Sequence, residues 1–274
     1  MKISRLDLDG IGSPTRLAER IHEIEDLPMA VPLEELCRAL DIETIEDSDS
    51  KAFEAALVTD SLKSSGHVIL SRHSPWHRRR FSLAHELGHF LIEAHRPREG
   101  SSMECSISDL FLLNPRDRDR RRRIEGEANR FAAHLLMPPK RIRTYVGGKG
   151  TSLETIVAMA RDMRVSKEAM ARAFVEAHHE PVAIIVSRCG VLERTYRGQD
   201  FPFIPLSKGN PLPTGSISID PIEAGQFTEA EELEADEWLA EREAKRVLAL
   251  TEQVLGQAEG YALTLLQAEL DDQE

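Results

Sequence analysis

The residues with the clearest chemical potential lie in one stretch, Phe81-Ser82-Leu83-Ala84-His85-Glu86-Leu87-Gly88-His89-Phe90. It contains the spacing His-Glu-x-x-His. Four residues of α-helix turn the chain by about 400° and advance it roughly 6 Å. His85 and His89 therefore share one face, one turn apart, and both imidazoles can close on a single tetrahedral metal. Glu86 lies about 100° round from His85, too far for a clean third ligand. It can still reach a water at the open position of such a metal, where a general base belongs.

A metal site of this kind needs a third protein ligand, and three residues compete for the place. Glu93 continues the histidine face but sits a further turn along, about 6 Å beyond His89, which overshoots. His95 completes the His-Glu-x-x-His-x-x-Gly-x-x-His spacing of metzincin proteases, except that Ile92 stands at the glycine position. A β-branched residue at the φ > 0 required there is an outlier, so His95 reads as a solvent-facing residue near the breaker Pro97. Glu125 lies in a second amphipathic segment, Ile124 to Met137, closed by Pro138-Pro139. It shares a face with Asn129 at i, i+4, so the first can bind metal while the second orients a histidine's free ring nitrogen. Glu127 is about 200° round from Glu125, and the two cannot both face the metal. The residues favour Glu125.

Helices must hold these side chains. The first should start near Ser74 as N-cap, with Pro75 at the first helical position. Phe81, Ala84, Gly88, Leu91 and Ile92 give it apolar surface beside the histidines. Ala128 and Ala132 are small enough to let the two helices approach closely. Upstream, residues 14–26 carry helical spacing (Leu17, Ile21, Ile24), and residues 32–40 make a second short helix opened by Pro32. After an acidic loop at 46–50, strands at Ala55–Thr59 and His67–Ser71 are joined by a turn around Ser64-Ser65-Gly66. This order suits a small zinc-peptidase core in which a strand beside the site pairs with an extended substrate. The reading places that edge at His67–Ser71.

Together, Arg80-Phe81-Ser82-Leu83-Ala84-His85-Glu86-Leu87-Gly88-His89 and Glu125-x-Glu127-Ala128-Asn129-x-Phe131-Ala132-Ala133-x-Leu135-Leu136-Met137-Pro138 resemble the ImmA/IrrE family of metallopeptidases. The upstream helix ending Ala39-Leu40-Asp41-Ile42 also fits. The resemblance implies a zincin-like minimal gluzincin. His85, His89 and Glu125 would hold Zn2+, Glu86 would be the catalytic base, and Asn129 would support the ligands from behind. It further implies a cytoplasmic protein that cleaves, or otherwise relieves, an Xre-type helix-turn-helix repressor.

Composition sets the remaining bounds. The chain has 274 residues, room for one large domain or two to three small ones, and a net charge of −12. That charge argues against nucleic acid as the main partner, because phosphate binding needs a basic surface. No apolar run is long enough for a membrane span, and the N-terminus lacks the apolar core of a secretory signal. Cys37, Cys105 and Cys189 are far apart and odd in number, as expected of reduced thiols in the cytoplasm. Between the two motifs an insertion carries Met103, Ile107, Leu110, Phe111, Leu112 and Leu113, then an arginine run at 116–123. That run reads as a solvated face or a docking patch for an acidic segment.

From Thr151 the pattern changes. Thr151-Ser152-Leu153-Glu154 is a capping box, and a second helix restarts at Val165-Ser166-Lys167, giving a helix-turn-helix-like pair with few basic residues for phosphate contacts. A hairpin follows at Val182–Ser187 and Leu192–Tyr196. Thr228-Glu229-Ala230-Glu231 is a capping box that should open a long acidic helix ending near Gly256, before a closing strand at Tyr261–Leu266. The expected fold class is α+β, in three parts: a peptidase domain over 1–146, the helical segment over 147–179, and an α+β unit over 180–274, GAF-like by resemblance. Two rival functions remain at this level: a non-proteolytic regulator with a structural metal, and a DNA-binding factor acting through 151–178. Tyr145 is the candidate stabiliser of an oxyanion.

Overall fold

A computed structural model describes residues 1–95, 103–105 and 120–271. It divides into two units, Met1–Pro138 with Asp162–Ser166, and Pro139–Arg161 with Lys167–Glu274. The insertion from Ile107 to Leu113 and residues 116–119 of the arginine run lie outside the described residues. Among the described residues, no helix is long and apolar enough to cross a membrane.

The first unit opens with helices α1 (Pro14–Ile24) and α2 (Leu33–Ala39), which bury Leu17, Ala18, Ile21, Leu33 and Leu36. Asp41, at φ 67°, turns the chain out of α2 into a strand. Among the described residues four strands follow in this unit: β1 (Ile42–Ser48), β2 (Ala55–Thr59), β3 (Gly66–Ser71) and β4 (Met103–Cys105), in the sheet order β1-β3-β2-β4. β1 runs parallel to β3, and β2 is antiparallel to both β3 and β4. This corrects two expectations. Part of the presumed acidic loop, Glu46–Ser48, belongs to β1, a strand whose exposed side chains carry no alternating apolar signal. The strand at His67–Ser71 is not an edge, because β1 and β2 pair with its two sides.

Helix α3 (Trp76–Leu91) packs on β2 and β3, and α4 (Arg120–Leu136) packs on α3 and α1. The N-cap position of α3 is Pro75; Ser74, expected to cap it, instead donates its hydroxyl to Glu54 at 2.7 Å. The helices pack closely because Gly88 has no side chain. A Cβ there would stand 2.8 Å from Phe131 Cδ1 and 3.4 Å from the Ala128 Cα. Phe131, fully buried, fills the space at this contact, while the equally buried Phe90 packs on the sheet side against Gly66 of β3. Burial of each large apolar side chain contributes about 1.5–3 kcal/mol.

The end of α3 is held from the sheet side. Asp60 accepts from the backbone N–H groups of Leu62 and Ser64 at 2.8 and 3.0 Å, shaping a turn in which Lys63 takes φ 52°. The buried Lys63 ammonium then donates to the carbonyls of His89 and Ile92, each at 2.7 Å. These are carbonyls of the kind a helix C-terminus leaves unmatched, and a cation there also complements the helix dipole.

The second unit contains α5 (Pro139–Lys149), most of α6 (Leu153–Asp162), α7 (Lys167–Ala177) and a five-stranded antiparallel sheet. Its strands are β5 (Val182–Arg188), β6 (Val191–Arg197), β7 (Glu231–Leu233), β8 (Val247–Gly256) and β9 (Tyr261–Leu270), in the order β6-β5-β9-β8-β7. The N-cap of α6 is Ser152, whose hydroxyl accepts from Thr155 N–H at 3.2 Å. Gln253 on β8 accepts from the Leu153 N–H at 2.8 Å and so ties α6 to the sheet.

The long acidic helix expected over 228–256 does not form. That segment instead contributes β7, a short helix α8 (Glu241–Ala244) and β8. Tertiary pairing overrides helix propensity here. β8 pairs along its length with β9, and Thr228 accepts from Val254 N–H instead of capping a helix. Trp238 and Leu239 are drawn into a core with Phe201, Ile204 and Leu250. Glu252 is fully buried on β8, accepting from Trp238 Nε1 at 3.0 Å and Ser216 Oγ at 2.7 Å.

Candidate metal centre

α3 and α4 bring together the three residues favoured from the sequence. His85 Nε2 and His89 Nε2 stand 2.9 Å apart, and Glu125 Oε2 lies 3.2 Å from the first and 3.3 Å from the second. All three side chains are buried, and among the described residues they form a cluster of ligand-type groups able to hold one ion. Asn129, one turn after Glu125, presents its Oδ1 to His85 Nδ1 at 2.8 Å.

His95 does not behave as expected. It is neither solvent-facing nor a member of the ligand cluster, but fully buried behind His89. Ile92 leaves α3 at φ −73° and ψ 111°, an extended conformation that suits a β-branched residue. A tight turn follows, with the His95 N–H donating to the Ile92 carbonyl at 3.0 Å. The chain thus folds His95 onto the far side of His89, with the two Nδ1 atoms 3.1 Å apart. His95 Nε2 then meets Glu127 Oε2 at 2.9 Å. Glu127 indeed faces away from the cluster, as its helical angle predicts. Its reach to His95, however, is not encoded in helical spacing. Glu93 is exposed on the turn. Tyr145 lies on α5 in the second unit, where its hydroxyl accepts from Lys149 at 2.9 Å.

The proton inventory favours a cation at the cluster. The Asn129 carbonyl oxygen can only accept, so it selects the His85 tautomer with the proton on Nδ1 and a lone pair on Nε2. Burial, with the neighbouring His85 second, pushes His89 down to about 4, so its ring is neutral at pH 7. With its proton on Nδ1 toward His95, its Nε2 is also bare. Two lone pairs and a carboxylate oxygen then converge at about 3 Å with no proton between them. That arrangement is repulsive unless a cation lies among them. Donor atoms bound to a tetrahedral zinc at about 2.0–2.1 Å stand about 3.3 Å from one another, so the spacing fits such an ion.

Electrostatics separate the two glutamates. Burial raises the Glu125 pKa, but its close polar contacts with His85 and His89 outweigh it and the net shift is downward, keeping a charged carboxylate at the cluster. Burial, and then the negative charge of Glu125, push Glu86 well above the ordinary carboxylate range. Both Glu86 oxygens are buried and lack a hydrogen-bond partner among the described residues. An unpartnered buried carboxyl costs several kcal/mol by rough estimate unless function retains it. Such a group, raised in pKa and adjacent to a metal site, has the properties of a proton carrier.

Comparison with known proteins agrees with this geometry. The sequence profile of the IrrE N-terminal-like domain matches residues 37–174, just over half of the chain. Among solved structures with the same fold is a Mycobacterium tuberculosis transcriptional regulator, at 14% identity and a TM-score of 0.58. The match covers 95% of this chain and 78% of that one. No curated protein matches the chain in sequence.

Proposed function

Since this chain belongs to the family of peptidases with an IrrE N-terminal-like domain, we propose that it is a zinc-dependent endopeptidase that cleaves a partner repressor of the Xre helix-turn-helix type. The single observation that carries the peptidase mechanism is Glu86, whose buried and unpartnered carboxyl lies in the helix that also supplies His85 and His89. His85, His89 and Glu125 hold the ion, and Asn129 fixes the ring of His85. When bound, zinc supplies Lewis-acid chemistry, acidifying water and polarising a carbonyl.

Every other step belongs to the protein. Glu86 takes a proton from the attacking water and later delivers it to the leaving amine, which a carboxyl of raised pKa does well near neutrality. Burial of the cluster excludes bulk water and strengthens these interactions. The repressor, not DNA, is the partner in this reading, because a net charge of −12 disfavours phosphate contacts. Cleavage would release a stress or mobile-element regulon in the cytoplasm, where Cys37 and Cys189 stay free thiols. The five-stranded sheet of the second unit would be the sensor, the place the sequence reading gave to a GAF-like domain.

The test combines metal content with cleavage. Wild-type protein, Glu86→Gln and Glu125→Ala are each incubated with an Xre-type repressor encoded nearby. The wild type should hold one zinc per chain and cut. Glu86→Gln should hold zinc without cutting, and Glu125→Ala should lose zinc. If Glu86→Gln inactivates the repressor as well as the wild type does, the peptidase mechanism fails and the protein acts by binding.

A further inference from the structure

His95, fully buried, and Glu127, partly buried, form a paired imidazole and carboxylate that lie outside the ligand cluster. His95 is 0% exposed, and its two ring nitrogens are both engaged: Nδ1 with His89 Nδ1 at 3.1 Å, and Nε2 with Glu127 Oε2 at 2.9 Å. We propose that His95 and Glu127 are positioning residues for the metal ligand His89, forming a carboxylate–histidine–histidine relay behind it. This rests on the metallopeptidase reading above.

The directions of the two hydrogen bonds follow from the acceptor at the end of the series. A carboxylate can only accept, so Glu127 requires a proton on His95 Nε2. A neutral His95 with its proton there has a lone pair on Nδ1. That lone pair can only accept, so His89 must carry its own proton on Nδ1. His89 Nε2 is thereby left bare and aimed at Glu125 and His85. A single carboxylate on α4 thus sets the tautomer of two rings in series, and the outer ring delivers the correct donor atom to the site. Histidine ligands are usually oriented by a direct hydrogen bond to a carboxylate or carbonyl; here a second imidazole is interposed.

The placement supports the relay independently of the tautomers. Glu125, Glu127 and Asn129 come from little more than one turn of α4, and each serves a different part of the centre. Glu125 reaches the cluster, Asn129 holds His85 at 2.8 Å, and Glu127 holds His89 through His95. Lys63 fixes the backbone on which both rings hang, through the carbonyls of His89 and Ile92. The outer oxygen of Glu127 faces Arg123 at 3.9 Å, and the glutamate is only partly buried, so its replacement disturbs little packing.

The test measures zinc affinity of the full chain by competition with a chromogenic chelator, for wild type, His95→Leu, His95→Gln, Glu127→Ala and Glu127→Gln. Imidazole tautomers are read in parallel from long-range proton–nitrogen NMR of the zinc-free protein, and folding from circular dichroism. His95→Leu and Glu127→Ala should weaken zinc binding about 10- to 100-fold, the usual effect of losing such a partner. His95→Gln and Glu127→Gln, whose amide oxygens can still accept, should recover most of that loss. Wild-type His95 should show the Nε2–H form, and Glu127→Ala should abolish that preference.

If the leucine and glutamine variants of His95 bind zinc equally, the side chain only fills space and the relay is refuted. The same holds if Glu127→Ala changes neither affinity nor tautomer. Glu125→Ala is the control for the underlying reading. Should it bind zinc as tightly as the wild type, the metal centre itself has been misassigned; if it loses zinc while the His95 and Glu127 variants do not, only the relay falls.

Discussion

Gly88→Ala probes the joint on which the whole centre depends. A glycine in a helix interior is normally about 1 kcal/mol worse than alanine, so propensity alone makes this substitution stabilising. The packing says otherwise. The added methyl would stand 2.8 Å from Phe131 Cδ1 and 3.3 Å from its Cγ, and ordinary contact begins at 3.4 Å. Relief therefore needs a displacement of about 0.6 Å (3.4 − 2.8), against a fully buried ring. Overpacking of this kind costs about 1–3 kcal/mol, which leaves the variant roughly 0–2 kcal/mol less stable after the propensity gain. A shift of that size also exceeds the roughly 0.5 Å tolerance of a preorganised site. Glu125 is on the helix that would move, so zinc affinity should fall with stability. Urea unfolding by circular dichroism gives the first quantity, with amide exchange in α3 and α4 assigning the transition to the first unit. Chelator competition gives the second. In a Phe131→Leu background the clash is relieved and Gly88→Ala should cost less, with a coupling of about 1–2 kcal/mol. A Gly88→Ala protein that is more stable and binds zinc normally, or effects that simply add in the double variant, would show that Phe131 does not set the helix spacing.

Two further perturbations test other supports. Lys63→Met strips the ammonium from the carbonyls of His89 and Ile92, and should destabilise the first unit by about 1–3 kcal/mol in the same urea assay, with weaker zinc binding; unchanged stability would mean that other donors replace it. Cys37 is buried and its thiol is pushed up to about 12, chiefly by burial, whereas Cys189 is exposed. Alkylation of the native protein at pH 8, read by peptide mass spectrometry, should label Cys189 and spare Cys37 until urea is added; rapid native labelling of Cys37 would contradict its burial.

The sequence by itself determined the chemistry of the centre. Helical periodicity is a local property, so His-Glu-x-x-His and the i, i+4 pair of Glu125 and Asn129 announced one-sided ligand faces before any fold was known. The same locality explains why Ala128 reads as a small residue at the helix contact, and why the hairpin over β5 and β6 is legible; the part played by Gly88 comes only from the packing. What the tertiary structure decided are the relations that local spacing does not encode. His95 follows α3 by only a few residues, yet its burial depends on a turn at Ile92 and on Glu127 arriving from α4. Lys63 only precedes the turn read at Ser64-Ser65-Gly66, and the folded sheet carries its ammonium to the end of α3. Residues 247–256 have ordinary helical propensity, but ten residues of pairing with β9, together with the buried Glu252, make them a strand. Propensity differences of a few tenths of a kcal/mol per residue yield to cross-strand pairing and burial. Local pattern thus names the groups that can react, and long-range packing decides which of their neighbours orient them.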